Sequence, residues 1–309
     1  MNNKDYIIPS NLPDIIPEGD MPGDKILITD LHLLKTKRIF PLLIEDLNNK
    51  ELLEEGKRWV VSIFGGSGTG KSEIAAILAY YFSQNGKSSY ILSGDNYAIR
   101  TLYENNYERI NLFREAGVKA LIKEGLYNFQ VKEVLDDLWL DYKDFDEKLG
   151  KSYSFWPMYF KAGCKVLADY LGSKAEMDFD HVSGVIKDFK AGKSNSMLKR
   201  KGEKAFDVWY EGVDFTNTDI LFIEWVLGNS KHITGIDSSV LLDSIPEETI
   251  EHRRSRARDS FIDDPYVMTV LHYEGKRVEE SVNEDTIIIN NQGEIINYSD
   301  YQELLKKRP

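Results

Sequence analysis

The chain is poor in cysteine. Cys164 is the single cysteine among 309 residues, so no disulfide can form within the chain. This composition is typical of a reducing compartment, and we expect a cytoplasmic protein. Cys164 lies in an apolar helical pattern, which predicts burial in a core rather than a role as a nucleophile.

Long apolar runs and basic charge are also scarce. No run approaches the roughly 20 apolar residues that a membrane-spanning helix needs. Residues 1–20 carry proline and acidic residues, and they lack the basic stretch followed by an apolar stretch of a secretory leader. Lysine and arginine number 39 against 51 aspartates and glutamates, for a formal net charge of −12. This balance argues against a surface that follows nucleic-acid phosphates, so we expect neither a membrane nor a nucleic-acid partner.

Glycine, by contrast, is concentrated in one place. Four of the 22 glycines fall within Gly65–Ser72, which reads Gly-Gly-Ser-Gly-Thr-Gly-Lys-Ser. The apolar run Trp59–Phe64 before it predicts a strand, and Glu73–Ser83 after it has apolar residues at helical spacing. Strand, loop spacing and helix together indicate a Walker A loop, whose backbone N–H groups surround the phosphates of a nucleotide. The predicted nucleotide-binding residues are Gly65, Gly66, Ser67, Gly68, Thr69, Gly70, Lys71 and Ser72.

Within this loop two side chains have chemical roles. Lys71 is placed to reach the β- and γ-phosphate oxygens of ATP, and the Ser72 hydroxyl is placed to ligate Mg²⁺. The sequence therefore predicts ATP and Mg²⁺ as cosubstrate and cofactor.

Two acidic residues follow other predicted strands. Asp95 comes after the strand Ser89–Leu92, and Glu224 ends the apolar run from Asp219 as in a Walker B strand. Ligands of open α/β sheets bind beyond the carboxyl ends of the strands. There Asp95 could accept a proton from an attacking hydroxyl or hold Mg²⁺, and Glu224 could orient Mg²⁺. The alternative is that both acids merely cap the ends of strands.

Arginine clusters downstream, where four arginines fall within residues 253–258 of a predicted helix, Glu251–Asp259. Guanidinium groups can stabilise the charge on a phosphoryl group in transfer and can close over it as a lid. The alternative is a solvated basic face paired with nearby glutamates.

Alternating strand and helix patterns predict an α/β fold of the P-loop NTPase type, with three αβα layers, a mainly parallel sheet and a helical insertion. Residues 1–57 are interpreted as an N-terminal arm with accessory elements, which include a short strand and a helix within residues 25–57. Residues 58–100 and 178–309 are interpreted as the core, and 101–177 as an aromatic, all-helical insertion that could cap the acceptor side. The further strands are predicted at Asp219–Trp225, Ser239–Asp243 and Thr286–Asn290. The five histidines show no metal-ligand spacing, so we expect no zinc site.

The ordered motifs resemble the uridine kinase and phosphoribulokinase family of P-loop kinases. The resemblance rests on the loop, on Ser-Gly-Asp-Asn-Tyr at 93–97, on Ile-Glu at 223–224 and on Arg-Arg-Ser-Arg-Ala-Arg-Asp at 253–259, and it covers roughly residues 58–100 and 178–298. It implies ATP-dependent phosphorylation of a hydroxyl of a small molecule, nucleoside- or sugar-like. Asp95 would match the catalytic aspartate, Glu224 the metal-orienting glutamate, and Arg254 and Arg258 the arginines of the lid.

Departures from that family leave the acceptor open. Asn96-Tyr97-Ala98 stands where uridine kinases usually have Ser-Phe-Tyr, and their Pro-x-Tyr-Asp element is replaced by the basic stretch Lys199–Lys201. Leu92–Arg100 is similar to the Gly-Asp-Asn element of adenylylsulfate kinases, in which case Arg100 would suit an anionic acceptor. An ATPase or a non-catalytic nucleotide-binding regulator is the alternative of another class. The sequence is compatible with a homo-oligomer but does not define the oligomeric state.

Overall fold

The computed structural model describes residues 6–13, 15–23, 26–54, 56–202, 207–255 and 264–308. These residues form the helices α1 (Asp30–Asn49), α2 (Lys71–Gln84), α3 (Leu102–Lys123), α4 (Phe129–Leu140), α5 (Trp156–Tyr170), α6 (Phe179–Lys190), α7 (Ile250–Ser255), α8 (Pro265–Glu280) and α9 (Tyr298–Leu305). Their strands are β1 (Trp59–Gly65), β2 (Ser89–Ser93), β3 (Asn195–Lys201), β4 (Val208–Asp214), β5 (Ile220–Glu224), β6 (Ser238–Leu242), β7 (Ile287–Ile289) and β8 (Ile295–Ile296).

A central sheet holds six of these strands in the order β2-β5-β1-β6-β7-β8. The first five are mutually parallel, and β8 runs antiparallel to β7. In register, Glu224 lies opposite both Ile63 of β1 and Ser93 of β2, and Gly65 lies opposite Leu242. The carboxyl ends of four adjacent strands therefore meet at one edge of the sheet.

The side chains of β1 alternate between the two faces of the sheet, and helices cover both faces. Trp59, Val61 and Ile63 pack in a fully buried core with α1 and α2. Val60 faces the opposite side, among apolar residues of α6, and Phe64 packs there with α8 and α9. Successive side chains of a strand point to opposite faces, so an apolar run such as β1 is buried on both sides. The predicted α/β class, with helices on both faces of a mainly parallel sheet, is confirmed.

Helices α3 and α5 form a second core with α4. Its centre is aromatic, with Phe113, Trp156 and Tyr159 fully buried, and Val270 of α8 joins it. A Cβ on Gly117 would stand 2.4 Å from the ring of Tyr159, so a small residue is needed where α3 and α5 cross. These helices fall within residues 101–177. The division of the chain into domains stays a prediction.

Three features differ from the prediction. Residues 26–29 are not a strand, and α1 begins directly at Asp30. Strand ends differ by at most one residue from the predicted bounds. The sequence does not predict the antiparallel hairpin of β3 and β4, because β3 ends in the basic stretch Lys199–Lys201 and β4 is largely exposed, so neither forms a buried apolar run. No helix in the described ranges combines the length and apolar character needed to cross a membrane.

Candidate active site

The glycine-rich loop connects the end of β1 to the start of α2. Lys71 donates from Nζ to the Gly66 carbonyl at 3.0 Å, so its amine lies over the loop, and the Thr69 hydroxyl donates to the same carbonyl at 3.0 Å. Gly70 has φ 91° and caps α2; a Cβ there would stand 2.6 Å from His32 Nε2. The N–H groups of the first turn of α2, which includes the partly exposed Ser72, point out of the sheet edge. A helix N-terminus of this kind binds phosphate oxygens.

Glu224 lies beside this loop at the end of β5. Its side chain is buried, and Ser93 Oγ of the adjacent strand donates to its Oε2 at 3.4 Å. Asp95 belongs to the 3₁₀ turn Gly94–Tyr97, directly after β2. The strand order β2-β5-β1 thus brings Asp95, Glu224 and the loop to one edge of the sheet, as the sequence predicts.

Asp95 is presented to solvent by a well-packed turn. Asp95 itself is exposed, while Gly94, Asn96 and Tyr97 are buried. A Cβ on Gly94 would stand 2.0 Å from the ring of Trp225, the residue after Glu224, so glycine is required for this approach. The packing of its neighbours fixes where the Asp95 carboxylate emerges.

The three predicted metal ligands all offer oxygen atoms. The Ser72 hydroxyl, the Glu224 carboxylate and the Asp95 carboxylate are the hard oxygen ligands that Mg²⁺ prefers. The donor set therefore fits Mg²⁺, which usually keeps several waters and takes only one or two protein carboxylates.

The turn that carries Asp95 is anchored by a residue of the N-terminal arm that the sequence did not single out. Asp20 is buried, and its Oδ1 accepts hydrogen bonds from the Ser93 N–H at 2.7 Å and from Asn96 Nδ2 at 3.2 Å. Its Oδ2 accepts from Arg200 Nη1 at 2.8 Å and from the Tyr90 hydroxyl at 3.1 Å. Burial raises the pKa of Asp20, and the charge of Arg200 opposes this increase. No local pattern in the sequence could indicate these partners.

The arginine cluster is described only in part. Arg254, at the end of α7, lies on the surface with Nη1 2.7 Å from Oε1 of Glu251. Arg258 falls outside the described residues, so its position and the lid remain predictions. The contacts with the glycine-rich loop come from the preceding two residues: His252 Nδ1 donates to the Gly68 carbonyl at 2.6 Å, and the Arg253 stem packs against Gly68.

Two histidines meet a glutamate behind the loop. Ligand-type atoms of His32, Glu73 and His252 all lie within 4.8 Å of one another, which the spacing of histidines in the sequence did not reveal. His32 Nδ1 accepts a hydrogen bond from the Thr29 N–H at 3.2 Å, so the neutral ring carries its proton on Nε2. Burial lowers the pKa of His32, Glu73 opposes this effect and His252 adds to it. A protonated Nε2 suits hydrogen bonding better than metal binding, and the trio supports Gly68 and Gly70 from behind.

Fold and site together resemble one class of protein. A glycine-rich loop between a parallel strand and a helix, with acidic residues at the ends of neighbouring strands, is typical of P-loop nucleotide-binding proteins.

The similarity of the chain to known proteins is limited in extent. No protein-family model matches the chain. The chain is 30% identical over 238 residues, 77% of its length, to the bifunctional alpha-galactosidase/sucrose kinase AgaSK of Mediterraneibacter gnavus, and it spans 20% of the length of that relative.

Two solved structures have limited similarity to this chain. A putative fructose transport system kinase from Silicibacter sp. has a TM-score of 0.46 and 15% identity, with 84% of this chain and 98% of that chain covered. D-glycerate 3-kinase from Cryptococcus neoformans has a TM-score of 0.46 and 11% identity, with 85% and 97% covered.

Proposed function

We propose that this chain is a kinase that transfers the γ-phosphoryl group of ATP to a hydroxyl of a small, sugar-like molecule. The observation that carries the proposal is the convergence of Lys71, Glu224 and Asp95 at the carboxyl ends of three adjacent strands. Nucleotide binding alone requires the loop but not an exposed carboxylate beside it. The identity with a protein whose name includes sucrose kinase supports a carbohydrate acceptor.

Each of these residues has a separate role in phosphoryl transfer. N–H groups of Gly66–Ser72 and the N-terminus of α2 bind the phosphates, and Lys71 neutralises charge on the oxygens that flank the bond to be broken. Ser72 and Glu224 would hold Mg²⁺, which would supply further neutralisation of the phosphate charge when bound. Arginines of the predicted lid, Arg254 and Arg258, add to it and exclude water.

Asp95 acts on the acceptor. Its exposed carboxylate hydrogen-bonds the attacking hydroxyl, orients it and accepts its proton as the O–P bond forms. The proposal includes a small-molecule acceptor and a cytoplasmic location, for which the acidic composition with one buried cysteine is the support. Burial raises the pKa of that cysteine, Cys164, to about 11, so it does not compete as a nucleophile.

The test is coupled ADP release from ATP and Mg²⁺ with a panel of acceptors. The panel comprises neutral sugars including sucrose, nucleosides, glycerate and adenylylsulfate, each run with the wild type, Lys71→Ala and Asp95→Asn. We expect one acceptor class to raise turnover far above the rate without acceptor, and both variants to remove this increase while circular dichroism stays unchanged. Equal ADP release without any acceptor would indicate an ATPase, and nucleotide binding without turnover would indicate a regulator. Full activity of Asp95→Asn would refute the role of that residue.

A further inference from the structure

Strand β4 is the outer strand of the β3–β4 hairpin. It pairs with β3 along its full length, Val208–Asp214, and among the described residues no strand pairs with its other side. Strand β3 is fixed to the core by the buried side chains of Leu198 and Arg200, whereas every residue of β4 except Val213 is exposed. The hairpin therefore presents one edge of its sheet to solvent.

Hydrogen bonds to β3 use only alternate residues of β4. Just beyond one end of the paired strands, the Gly202 N–H donates to the Asp207 carbonyl at 2.8 Å. Beyond the other end, the Phe215 N–H donates to the Ser194 carbonyl at 2.6 Å, in the same register. Bonded and non-bonded pairs alternate along an antiparallel ladder, so the even-numbered residues of β4 direct their N–H and C=O groups outward. The described residues provide no partner for the backbone groups of three of them, Val208, Tyr210 and Gly212.

The same edge exposes large apolar side chains. Val208 and Trp209 are each 40% exposed, and Tyr210 is 52% exposed. Soluble proteins usually protect an open edge with lysine, proline or a covering segment, because such an edge pairs with other strands. Strand β4 contains neither lysine nor proline. Adjacent exposed aromatic and aliphatic side chains are typical of protein interfaces, so this edge is suited to receive another strand.

A second copy of β4 matches the edge in antiparallel orientation. With a two-fold axis at Tyr210, this residue lies opposite Tyr210 of the second copy, and Val208 lies opposite Gly212. Because all of these residues direct their backbone groups outward, the two strands can exchange about six N–H···O bonds. Trp209 then lies opposite Glu211 of the second copy, and the aromatic pair at the axis stabilises the contact.

Charge selects this register over its neighbours. A shift by two residues in one direction places Glu211 opposite Glu211 of the second copy, and the same shift in the other direction places it opposite Asp207. Like charges directly opposite each other destabilise a strand pair. A shift by one residue would place outward backbone groups opposite inward ones and break the ladder.

We propose that β4 is the interface of a symmetric homodimer, in which the two hairpins join into one four-stranded antiparallel sheet. The same surface of each copy forms the contact, so the assembly closes at two subunits. Tyr210 and its neighbours on β4 have no part in the proposed phosphoryl transfer. The dimer and the kinase activity therefore stand or fall separately.

The first test measures the mass of the full chain by sedimentation velocity. Because a contact through one hairpin is small, the concentration should be about 50 µM. We expect the wild type to sediment at twice 35.5 kDa. Tyr210→Lys places two lysines opposite each other at the axis and should raise the dimer dissociation constant at least about tenfold. A monomeric wild type at this concentration, or an unchanged Tyr210→Lys dimer, would overturn the proposal.

A matched control lies on α3. Tyr107 is 62% exposed, so Tyr107→Lys makes the same chemical change on a surface away from β4. It should leave the dissociation constant within about twofold of the wild type. Equal weakening by both variants would show that added charge, and not the edge of β4, controls association.

The second test addresses the backbone ladder. Gly212→Pro removes one outward N–H and leaves the bonds to β3 in place, and an edge strand tolerates proline at such a position. We expect a monomer whose circular dichroism matches the wild type. A folded Gly212→Pro protein that remains dimeric would exclude strand pairing, and if this variant does not fold, Tyr210→Lys still decides the interface.

The third test fixes the register by a disulfide. Directly opposite residues of a bonded pair have Cα atoms about 5.5 Å apart, which a disulfide can span. Cys164 is buried, so the thiol of Tyr210→Cys is the reactive one. With oxidised glutathione as the oxidant, we expect Tyr210→Cys to form a covalent dimer at least about tenfold faster than Met197→Cys, which exposes a thiol on β3 away from the axis. Equal rates would overturn the register centred on Tyr210.

Discussion

The anchor of the Asp95 turn gives the sharpest prediction about stability. Asp20 and Arg200 form an ion pair at 2.8 Å with side chains only 7% and 5% exposed. Asp20→Ala would remove the buried charge that compensates Arg200 and leave only the exposed carboxylate of Glu211, at 3.2 Å, beside it. It would also leave the Ser93 N–H and the Asn96 amide without this acceptor. Together with Arg200 and the Tyr90 hydroxyl, four donors would thus lose a partner in a region closed to water.

The expected cost follows from this geometry. Removing one member of a buried ion pair typically costs about 3–5 kcal/mol, because the remaining charge is left uncompensated. A folded domain has a total stability of only about 5–15 kcal/mol, so the loss is a large fraction of it. Asp20→Asn keeps one oxygen for Ser93 and should cost less, about 1.5–3 kcal/mol. Replacing both members, in Asp20→Ala with Arg200→Met, should recover part of the loss since no buried charge remains.

The assay is equilibrium unfolding in urea, followed by tryptophan fluorescence, for the three variants and for Glu18→Ala. Glu18 lies on the same arm but is exposed, so its replacement should change stability by less than about 0.5 kcal/mol. Steady-state kinetics should show a lower kcat for Asp20→Ala at temperatures where it remains folded, because the turn that carries Asp95 loses its anchor. The reasoning is refuted if Asp20→Ala costs less than about 1 kcal/mol, or if the double variant is less stable than the single one.

Three further outcomes are expected. Gly70→Ala should weaken nucleotide binding strongly in a fluorescence titration, because Gly70 has φ 91° and the added Cβ would stand 2.6 Å from His32 Nε2. Adding His32→Ala to this variant removes the close contact but not the backbone strain, so it should restore only part of the affinity. Lys35 is buried, and burial lowers its pKa from 10.5 to about 8, against the opposing charge of Asp243. Between pH 8 and 10.5 the unfolded chain keeps this proton and the folded chain releases it, so the stability of the wild type rises with pH. In urea unfolding, Lys35→Met should therefore stabilise the protein by up to ~3 kcal/mol at pH 7, and this gain should shrink towards pH 10. A gain that does not depend on pH would contradict this reasoning. Glu224→Gln should raise the Mg²⁺ concentration needed for half-maximal ADP release, and an unchanged requirement would remove Glu224 from the metal site.

The part of the site that the sequence predicts is the part whose residues are adjacent in the chain. The glycine-rich loop is readable because phosphate binding places its requirements on neighbouring residues, and a strand and a helix flank it. Asp95 and Glu224 could be placed at this edge because each lies at the carboxyl end of an apolar strand, and parallel strands share an edge; their chemical roles stay predictions.

Contacts between distant segments explain what could not be predicted. Asp20 pairs with Arg200 across most of the chain, and neither position has a local pattern that names its partner. The hydrogen bond from Arg109 of α3 to Glu274 of α8 depends on how these two helices pack, which helical periodicity does not fix. The hairpin of β3 and β4 exposes apolar side chains such as Met197, Trp209 and Tyr210, so it lacks the alternation of buried apolar and exposed polar residues that reveals a half-buried strand.

The bond from His252 to the Gly68 carbonyl has a thermodynamic consequence. It fastens the start of the arginine-rich segment to the loop that receives the nucleotide. Any displacement of α7 that breaks this 2.6 Å bond changes the energy of the loop, so the two movements share one equilibrium. Linkage is reciprocal: if bound nucleotide shifts the equilibrium towards one position of α7 by a given factor, that position of α7 raises the affinity for nucleotide by the same factor.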